Sequence, residues 1–162
     1  MNPRMTAQEV IDLLNLLPLE GEGGFFRQTW MRGDAASPEA TAIYYLVTPD
    51  SFSALHRLGA DEIFHFYVGD PCDMLHIFPD ARVERVRLGS DLGVGQVPQV
   101  VVPAGTWQGM RLVPGGAWAL VGTTMAPGYT PHLFELVRRD VLQGWPEQVR
   151  SVAPPFLPPG IA

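Results

Sequence analysis

The hydrophobic pattern of the chain begins with a short amphipathic helix. Aliphatic residues from Val10 to Leu17 recur at the i, i+3, i+4, i+7 spacing of one helical face. Thr6 precedes them, with Glu9 three residues further on, which is the pattern of a capping box. The sequence therefore predicts a helix over about residues 6–17, ended by Pro18.

From residue 41 onward, short apolar runs alternate with turn signals rich in proline, glycine and aspartate. With 17 glycines and 16 prolines, the composition favours many strands joined by tight turns over a helical bundle. Several runs are apolar on both faces, so we expect one face to line a barrel interior and the other to pack on a second sheet or subunit. The predicted barrel spans about residues 25–126 and contains the runs TAIYYLVT, DEIFHFYVG, DMLHIFP, RVERVRL, PQVVVPAG, QGMRLVP and AWALVGTT.

The C-terminal part has weaker signals. Phe134, Val137 and Val141 predict one more short helix, over about residues 132–143. The proline-rich tail, 153–162, is expected to run extended along the surface. The length of 162 residues suits a single domain that contains all of these elements.

Charge and cysteine content exclude several classes of function. The net charge is −6, and all eleven basic side chains are arginines, so the chain lacks the basic surface that nucleic acids or an anionic membrane require. Cys72 is the sole cysteine, which excludes an intrachain disulfide and suggests a buried, unreactive thiol. No signal sequence or membrane-spanning segment is apparent, and we expect a soluble cytoplasmic protein.

Candidate chemistry is concentrated in the stretch HRLGADEIFHFYVGD. A proton-transfer site needs an imidazole, a carboxylate to orient it and a pocket that excludes water. His56 with Glu62, or His65 with Asp61, could supply the first two. Because side chains alternate along a strand, His65 faces outward if Glu62 faces inward. A buried polar network with no catalytic role would use the same residues.

The same stretch resembles the first motif of the cupin superfamily. His56, Glu62 and Gly69 match its histidine, glutamate and closing glycine, whereas Leu58 stands where cupins have a second histidine. Gln108 stands at the position of the histidine in the second cupin motif, after the matching proline and glycine of PAGTWQ. A more extended similarity to the fifth cupin family is carried by EGGFFR, TAIYYL, FSALHRLGADEIFHFYVGDP, PQVVVPAGTWQ and LVGTTMAPGY followed by FEL.

This resemblance implies an all-β fold, a jelly-roll barrel with a pocket inside one end, and a homodimer. Some members of the family have been likened to sugar-nucleotide epimerases on grounds of fold. The leading hypothesis is a protein that binds a small polar metabolite in the barrel, with isomerase or epimerase chemistry. His56 would be the base or a ligand, and Glu62 its orienting partner.

Two alternatives remain open. The first is a metal-dependent cupin enzyme, of the dioxygenase or isomerase type, whose cofactor would be a divalent transition metal. His56, Glu62 and Gln108 would be its ligands, although a neutral amide binds such ions poorly; His65 or His76 could complete the set. The second alternative is a module that binds or senses a small molecule without chemistry.

Other residues are candidates for ligand contacts. Trp107, next to Gln108, and Tyr45 could stack on a ligand, although each suits a core position as well. Arg27 and Arg57 could anchor a carboxylate or a phosphate, or form surface ion pairs.

Two further candidates depend on local geometry. Glu22 could accept hydrogen bonds from ligand hydroxyls at the pocket edge, or from backbone N–H groups of its own glycine-rich turn. His76 would approach Glu62 if the strands on either side of Gly69 form a hairpin, in a register that the sequence does not determine.

Overall fold

The computed structural model describes residues 4–161 and confirms the N-terminal helix. Helix α1 spans Ala7–Leu14. The Thr6 hydroxyl accepts a hydrogen bond from the Glu9 backbone N–H, and the Glu9 carboxylate accepts one from the Thr6 backbone N–H, which completes the predicted capping box. The helix ends earlier than predicted, because Asn15 takes a left-handed conformation at its C-cap. Its buried residues pack on the first of two sheets.

Eleven strands form the body of the molecule. In chain order they are β1 Leu17–Pro18, β2 Phe25–Asp34, β3 Ser37–Val47, β4 Ser53–Leu58, β5 Glu62–Gly69, β6 Cys72–Ile77, β7 Val83–Leu88, β8 Gln99–Val102, β9 Trp107–Leu112, β10 Ala119–Met125 and β11 Phe134–Leu136. They pair into a large sheet of order β1-β2-β3-β10-β5-β8 and a small sheet of order β11-β4-β9-β6-β7. Every named strand pair is antiparallel.

The main core lies between the two sheets, as predicted for a jelly-roll barrel. Tyr45 and Phe64 from the large sheet meet Met74 and Met110 from the small sheet, and all four are at most 3% exposed. These residues alternate with outward-facing neighbours, in keeping with the period of two of a strand. One end of this space is filled by aliphatic side chains, and the other end carries the candidate site.

The largest departures from the predicted elements concern β4 and β11. The pattern of the segment Ser53–Leu58 did not identify it as a strand, yet it lies between β9 and β11. Residues 134–136, which the pattern placed in a helix, pair instead with residues 56–58. Backbone groups at the open edge of β4 need partners, and a strand supplies them where a helix could not.

Helical structure after the barrel is shorter and later than predicted. Helix α2 spans Arg139–Gly144 and α3 spans Glu147–Arg150. None of the helices in residues 4–161 has the length and apolar character needed to cross a membrane.

The proline-rich tail is partly buried, which differs from the extended surface course that its composition suggested. A 3₁₀ turn at Pro154–Phe156 directs Phe156 and Leu157 inward, where they are 3% and 8% exposed. They pack with Leu55 and Leu75 on the outer face of the small sheet and form a second core there. The last residue of the predicted tail, at position 162, lies outside the described residues.

Cys72 begins β6 and is fully buried between the sheets. Burial raises the pKa of its thiol to about 12, with a smaller contribution from the carboxylates of Asp73 and Asp70. The thiol therefore stays protonated near neutral pH and is a poor nucleophile.

Candidate active site in the barrel

A cavity of about 280 Å³ opens between the two sheets at one end of the barrel. Its walls are mainly apolar and include Phe26, Ile43, Phe64, Met125 and Phe134. Its polar and ionisable lining residues come from both sheets and from the loops around the mouth: Glu20, Glu22, Gln28, Thr41, Tyr45, His56, Glu62, Thr123 and Tyr129.

His56 reaches the cavity from β4, with only 3% of its side chain exposed. Its Nδ1 lies 2.8 Å from the carbonyl oxygen of Ala54. Because a carbonyl can only accept, Nδ1 carries the hydrogen, and in the neutral ring Nε2 keeps its lone pair. The ring also stacks on Phe134, with 5.3 Å between centroids. The ring of His56 is thus held in one orientation, and the one hydrogen bond that its ring makes to a described residue is through Nδ1, which leaves Nε2 as a possible acceptor.

Glu22 approaches the same imidazole from the loop before β2. Its Oε1 lies 3.8 Å from Nδ1 of His56 and accepts a hydrogen bond of 2.7 Å from the hydroxyl of Ser53. The distance to the imidazole is too long for a hydrogen bond but short enough for its charge to stabilise an imidazolium. The structure thus places the Glu22 carboxylate at the edge of the cavity, where a ligand could reach it.

The two glycines after Glu22 hold this loop in place. Gly23 and Gly24 have φ of +99° and +73°, a region that L-residues rarely adopt. A Cβ at Gly23 would collide with the carbonyl oxygen of Phe52, and one at Gly24 with the hydroxyl of Tyr45. That hydroxyl donates a 2.7 Å hydrogen bond to the carbonyl of Gly23, so the loop, Tyr45 and Glu22 form one unit.

Gly24→Ala should therefore destabilise the protein by about 2 kcal/mol or more, from the left-handed backbone and the contact with Tyr45 together. Urea denaturation monitored by fluorescence measures this loss. Gly115→Ala is a matched control, since Gly115 has a φ of +84° but no neighbour within 4 Å of the added Cβ. Equal losses in the two variants would show that the contact with Tyr45 contributes nothing.

Glu62, the first residue of β5, faces His56 from the opposite sheet and is 7% exposed. Burial raises the pKa of its carboxyl, and the charge of Glu22 raises it further. The charge of His56 and hydrogen bonds from Thr123 and Gln108 oppose this shift without cancelling it. The Gln108 amide donates to Oε2 of Glu62 at 2.8 Å. Glu62 therefore keeps its proton to a higher pH than an exposed glutamate does.

The raised pKa of Glu62 makes the free energy of unfolding depend on pH. A carboxyl whose pKa is raised on folding stabilises the folded state below its unfolded pKa, and that contribution is lost as pH rises through the folded pKa. Glu62→Gln should therefore gain stability relative to the wild type as pH rises above about 4.5, and the difference should level off above the folded pKa. Thermal unfolding at a series of pH values measures it. Glu39→Gln, on an exposed residue, should show no such trend; a constant difference for Glu62→Gln would contradict the shift.

Gln108 and His76 continue a polar row across the small sheet behind Glu62. His56, Gln108 and His76 are direct neighbours on β4, β9 and β6. Neither Gln108 nor His76 lines the cavity, and Gln108 Oε1 and His76 Nε2 are buried without a hydrogen-bond partner among the described residues. Burial lowers the pKa of His76, which favours its neutral form.

Three further candidate residues lie outside the cavity, on the outer faces of the sheets. Arg57 bonds to Glu135 at 2.6 Å and lies over the ring of Trp107 at 4.9 Å. Trp107 itself belongs to the outer core beneath the tail. Arg27 is exposed and lies over Tyr44 at 5.5 Å. Strand alternation explains why Arg57 and Trp107 face away from the cavity. They are next to His56 and Gln108 along the chain, and neighbouring residues of a strand point to opposite faces.

His65 faces outward, as strand alternation predicts for a residue three positions after Glu62. It lies on the outer face of β5, where Nε2 is 3.0 Å from the hydroxyl of Thr124 and Nδ1 is 3.3 Å from the amide of Gln99. Asp61 accepts a hydrogen bond from the backbone of Ala104 at 2.8 Å. The structure does not bring His65 and Asp61 together as a catalytic pair.

Sequence reasoning did not identify several cavity residues. Thr123 and Met125 could have been found, because they alternate along β10 with residues that face outward. Tyr129 could not, since it follows the strand in a loop, where its backbone N–H donates a 3.0 Å hydrogen bond to the hydroxyl of Thr41 on β3.

Comparison with known proteins places this architecture in a family. The sequence model of a family described as cupin superfamily (DUF985) matches residues 8–137 of this chain. The chain belongs to this cupin family. Protein SO0799 from Shewanella oneidensis is 30% identical, with a TM-score of 0.88 over 96% of this chain and 99% of that one. A hypothetical protein from Leishmania major is 27% identical, with a TM-score of 0.87 over 94% and 99% of the two chains.

Two further proteins are similar to this chain at lower identity. An uncharacterized protein of Saccharomyces cerevisiae, YML079W, is 26% identical over 94% of this chain and 83% of its own length. Oxalate decarboxylase from Bacillus subtilis matches with a TM-score of 0.59 at 14% identity, over 85% of this chain and 34% of that chain. The latter likeness concerns the cupin fold alone.

The cavity of this cupin has too few suitable side chains to hold a transition metal. Residues 4–161 contain no group of three or more histidine, cysteine, aspartate or glutamate side chains placed to hold a metal ion. Leu58 supplies no donor, and the Gln108 amide is engaged with Glu62 through its nitrogen. The side chains present do not fit the three or four converging donors that a transition metal requires.

Proposed function

We propose that this cupin binds a small molecule with an apolar body in the barrel cavity and transfers a proton on it, as an isomerase does. The observation that supports the proposal is the fixed tautomer of His56 in a mainly apolar cavity, opposite a glutamate whose pKa is raised. A base and an acid on two sides of one cavity are the arrangement that proton shifts between neighbouring carbon atoms need.

The proposed reaction has two balanced steps. His56 Nε2 takes a proton from a carbon next to a carbonyl group, and the electron pair moves toward the carbonyl oxygen. That oxygen takes the proton of the Glu62 carboxyl, which leaves an enol, an imidazolium and a carboxylate. In an α-hydroxy ketone or aldehyde this enol is an enediol. The imidazolium then gives its proton to the former carbonyl carbon, while the hydroxyl on the first carbon gives its proton to the Glu62 carboxylate and becomes the new carbonyl group.

The remaining residues support this exchange. Glu22 stabilises the imidazolium from 3.8 Å, and the Ala54 carbonyl fixes the orientation of the ring at 2.8 Å. Phe64, Met125 and Phe134 reduce the access of water to the reacting atoms. General acid–base catalysis by such a pair contributes about 10²–10⁴-fold to a rate.

The test uses deuterium exchange, which requires no knowledge of the product. Small ketones and aldehydes with apolar bodies are incubated with the protein in D₂O, and NMR follows the loss of the C–H signal next to the carbonyl. We expect exchange to fall at least about 100-fold in His56→Gln and in Glu62→Gln. His65→Gln, on the outer face of the barrel, is the control and should exchange at the wild-type rate.

Two outcomes would contradict the proposal. Exchange that persists in both His56→Gln and Glu62→Gln would exclude these residues as base and acid. Ligands that bind in the cavity without any exchange would show a binding or sensing module instead of an enzyme.

A further inference from the structure

The ionisable lining of the cavity also indicates the charge of its ligand. We propose that the cavity selects a protonated amine with an apolar body and discriminates against carboxylates and phosphates. This inference rests on the proposed binding of a small molecule in the barrel, and it does not depend on proton transfer.

The first argument is the balance of charges around the cavity. Glu20 and Glu22 line its mouth, Glu62 lies deeper as the protonated acid of the proposed exchange, and none of its lining residues in the described part of the chain is an arginine. The sequence contains no lysine. The arginines considered as anion anchors, Arg27 and Arg57, lie on outer faces of the sheets.

The second argument is the mutual influence of these charges inside a poorly solvated space. Burial raises the pKa of the phenols of Tyr45 and Tyr129, and the charge of Glu22 raises it further. His56 is the one lining group that can carry a positive charge. A ligand anion would add to this negative potential, whereas an ammonium group would reduce it.

The third argument is that the cavity presents an unpartnered acceptor together with aromatic walls. His56 is 3% exposed at its side chain, and Nε2 is left without a hydrogen-bond partner among the described residues, so a ligand N–H or O–H can bond there. Phe26, Phe64 and Tyr129 supply aromatic faces, which attract cations as well as apolar groups.

These arguments indicate an orientation for the ligand. Glu22 lies nearer the mouth, with 12% of its side chain exposed, and the exposed Glu20 lies beside the same opening. Glu62 lies deeper, bonded to Gln108. The ammonium group would therefore pair with Glu22, while the apolar body extends toward Phe64 and Met125.

The experiment compares three probes with the same body: cyclohexylmethylamine, cyclohexylmethanol and cyclohexanecarboxylate. Titration calorimetry at pH 7.5 and low salt measures their affinities for the full chain, and NMR shifts of cavity residues confirm where they bind. We expect the amine to bind at least about tenfold more tightly than the alcohol, and the carboxylate to bind most weakly.

Variants assign the preference to Glu22. Glu22→Gln should reduce the affinity for the amine about tenfold and change that for the alcohol by less than about twofold, which also shows that the cavity is still folded. Glu39→Gln, on the exposed hairpin, is the matched control and should change neither affinity.

The outcomes separate this inference from the proposed function. A carboxylate that binds as tightly as the amine, or an alcohol that equals it, would overturn the preference for a cation and leave cavity binding intact. No binding by any of the three probes would overturn both. Selective amine binding without deuterium exchange on any ligand would support this inference and contradict proton transfer alone.

Discussion

The double substitution Leu58→His with Gln108→His should give this cupin a divalent metal site. Leu58 and His56 lie two residues apart on β4, and both line the cavity. Gln108 is paired with His56 in the sheet, and its amide nitrogen is 2.8 Å from Glu62. Two added imidazoles would therefore join His56 and Glu62 to make four converging donors, the number that zinc and related ions prefer.

Titration calorimetry with Zn²⁺ and Ni²⁺ on untagged protein measures the gain, which we expect to be at least about 100-fold in affinity over the wild type. The matched control is Arg57→His with Gln108→His. It adds the same number of histidines to the same strands, but Arg57 faces outward and pairs with Glu135. Equal metal affinity in the two double variants would show that the cavity geometry does not converge as described.

Phe156→Ala should produce the largest loss of stability, about 3–4 kcal/mol, because it empties a site in the outer core. Phe156 is 3% exposed and packs with Leu55, Leu75 and Val149 beneath the small sheet. Pro and Gly residues around it give the tail little structure of its own, so these contacts account for its position. Ligand binding in the cavity should persist in the folded variant, since the ring lies on the opposite face of the sheet.

Chemical denaturation measures this loss, with Pro159→Ala as the control in the same tail. Pro159 is exposed, and its substitution should change the free energy of unfolding by less than about 0.5 kcal/mol. A loss below about 1 kcal/mol for Phe156→Ala would contradict the assignment of the tail to the core.

Much of the fold was predictable from local patterns. The strands β3 and β5–β10 are apolar runs bounded by turn residues, and the capping box at Thr6 and Glu9 located α1. Strand β4 was missed because Ser53, His56 and Arg57 interrupt its apolar pattern. It is nevertheless buried, since β9 and β11 flank it on both sides.

The candidate site was predictable to a smaller extent. The cupin motif located His56 and Glu62, and the glycines after Glu22 indicated a special turn. Trp107 and Arg57 were wrong choices as ligand contacts. Strand alternation directs both side chains away from the cavity, because each is next to a residue that faces inward. The hydrogen bond between Gln108 and Glu62 could not be predicted, because it joins two strands that belong to different sheets.

The sequence by itself determined where most of the strands lie along the chain, the helix cap and the two faces of each strand, because these depend on neighbouring residues. Only the tertiary structure decided that Glu22, His56 and Glu62 share one cavity, that the arginines lie outside it, and that Phe156 covers the small sheet. Those contacts join segments that are distant along the chain, and they depend on register and on how the two sheets close on each other.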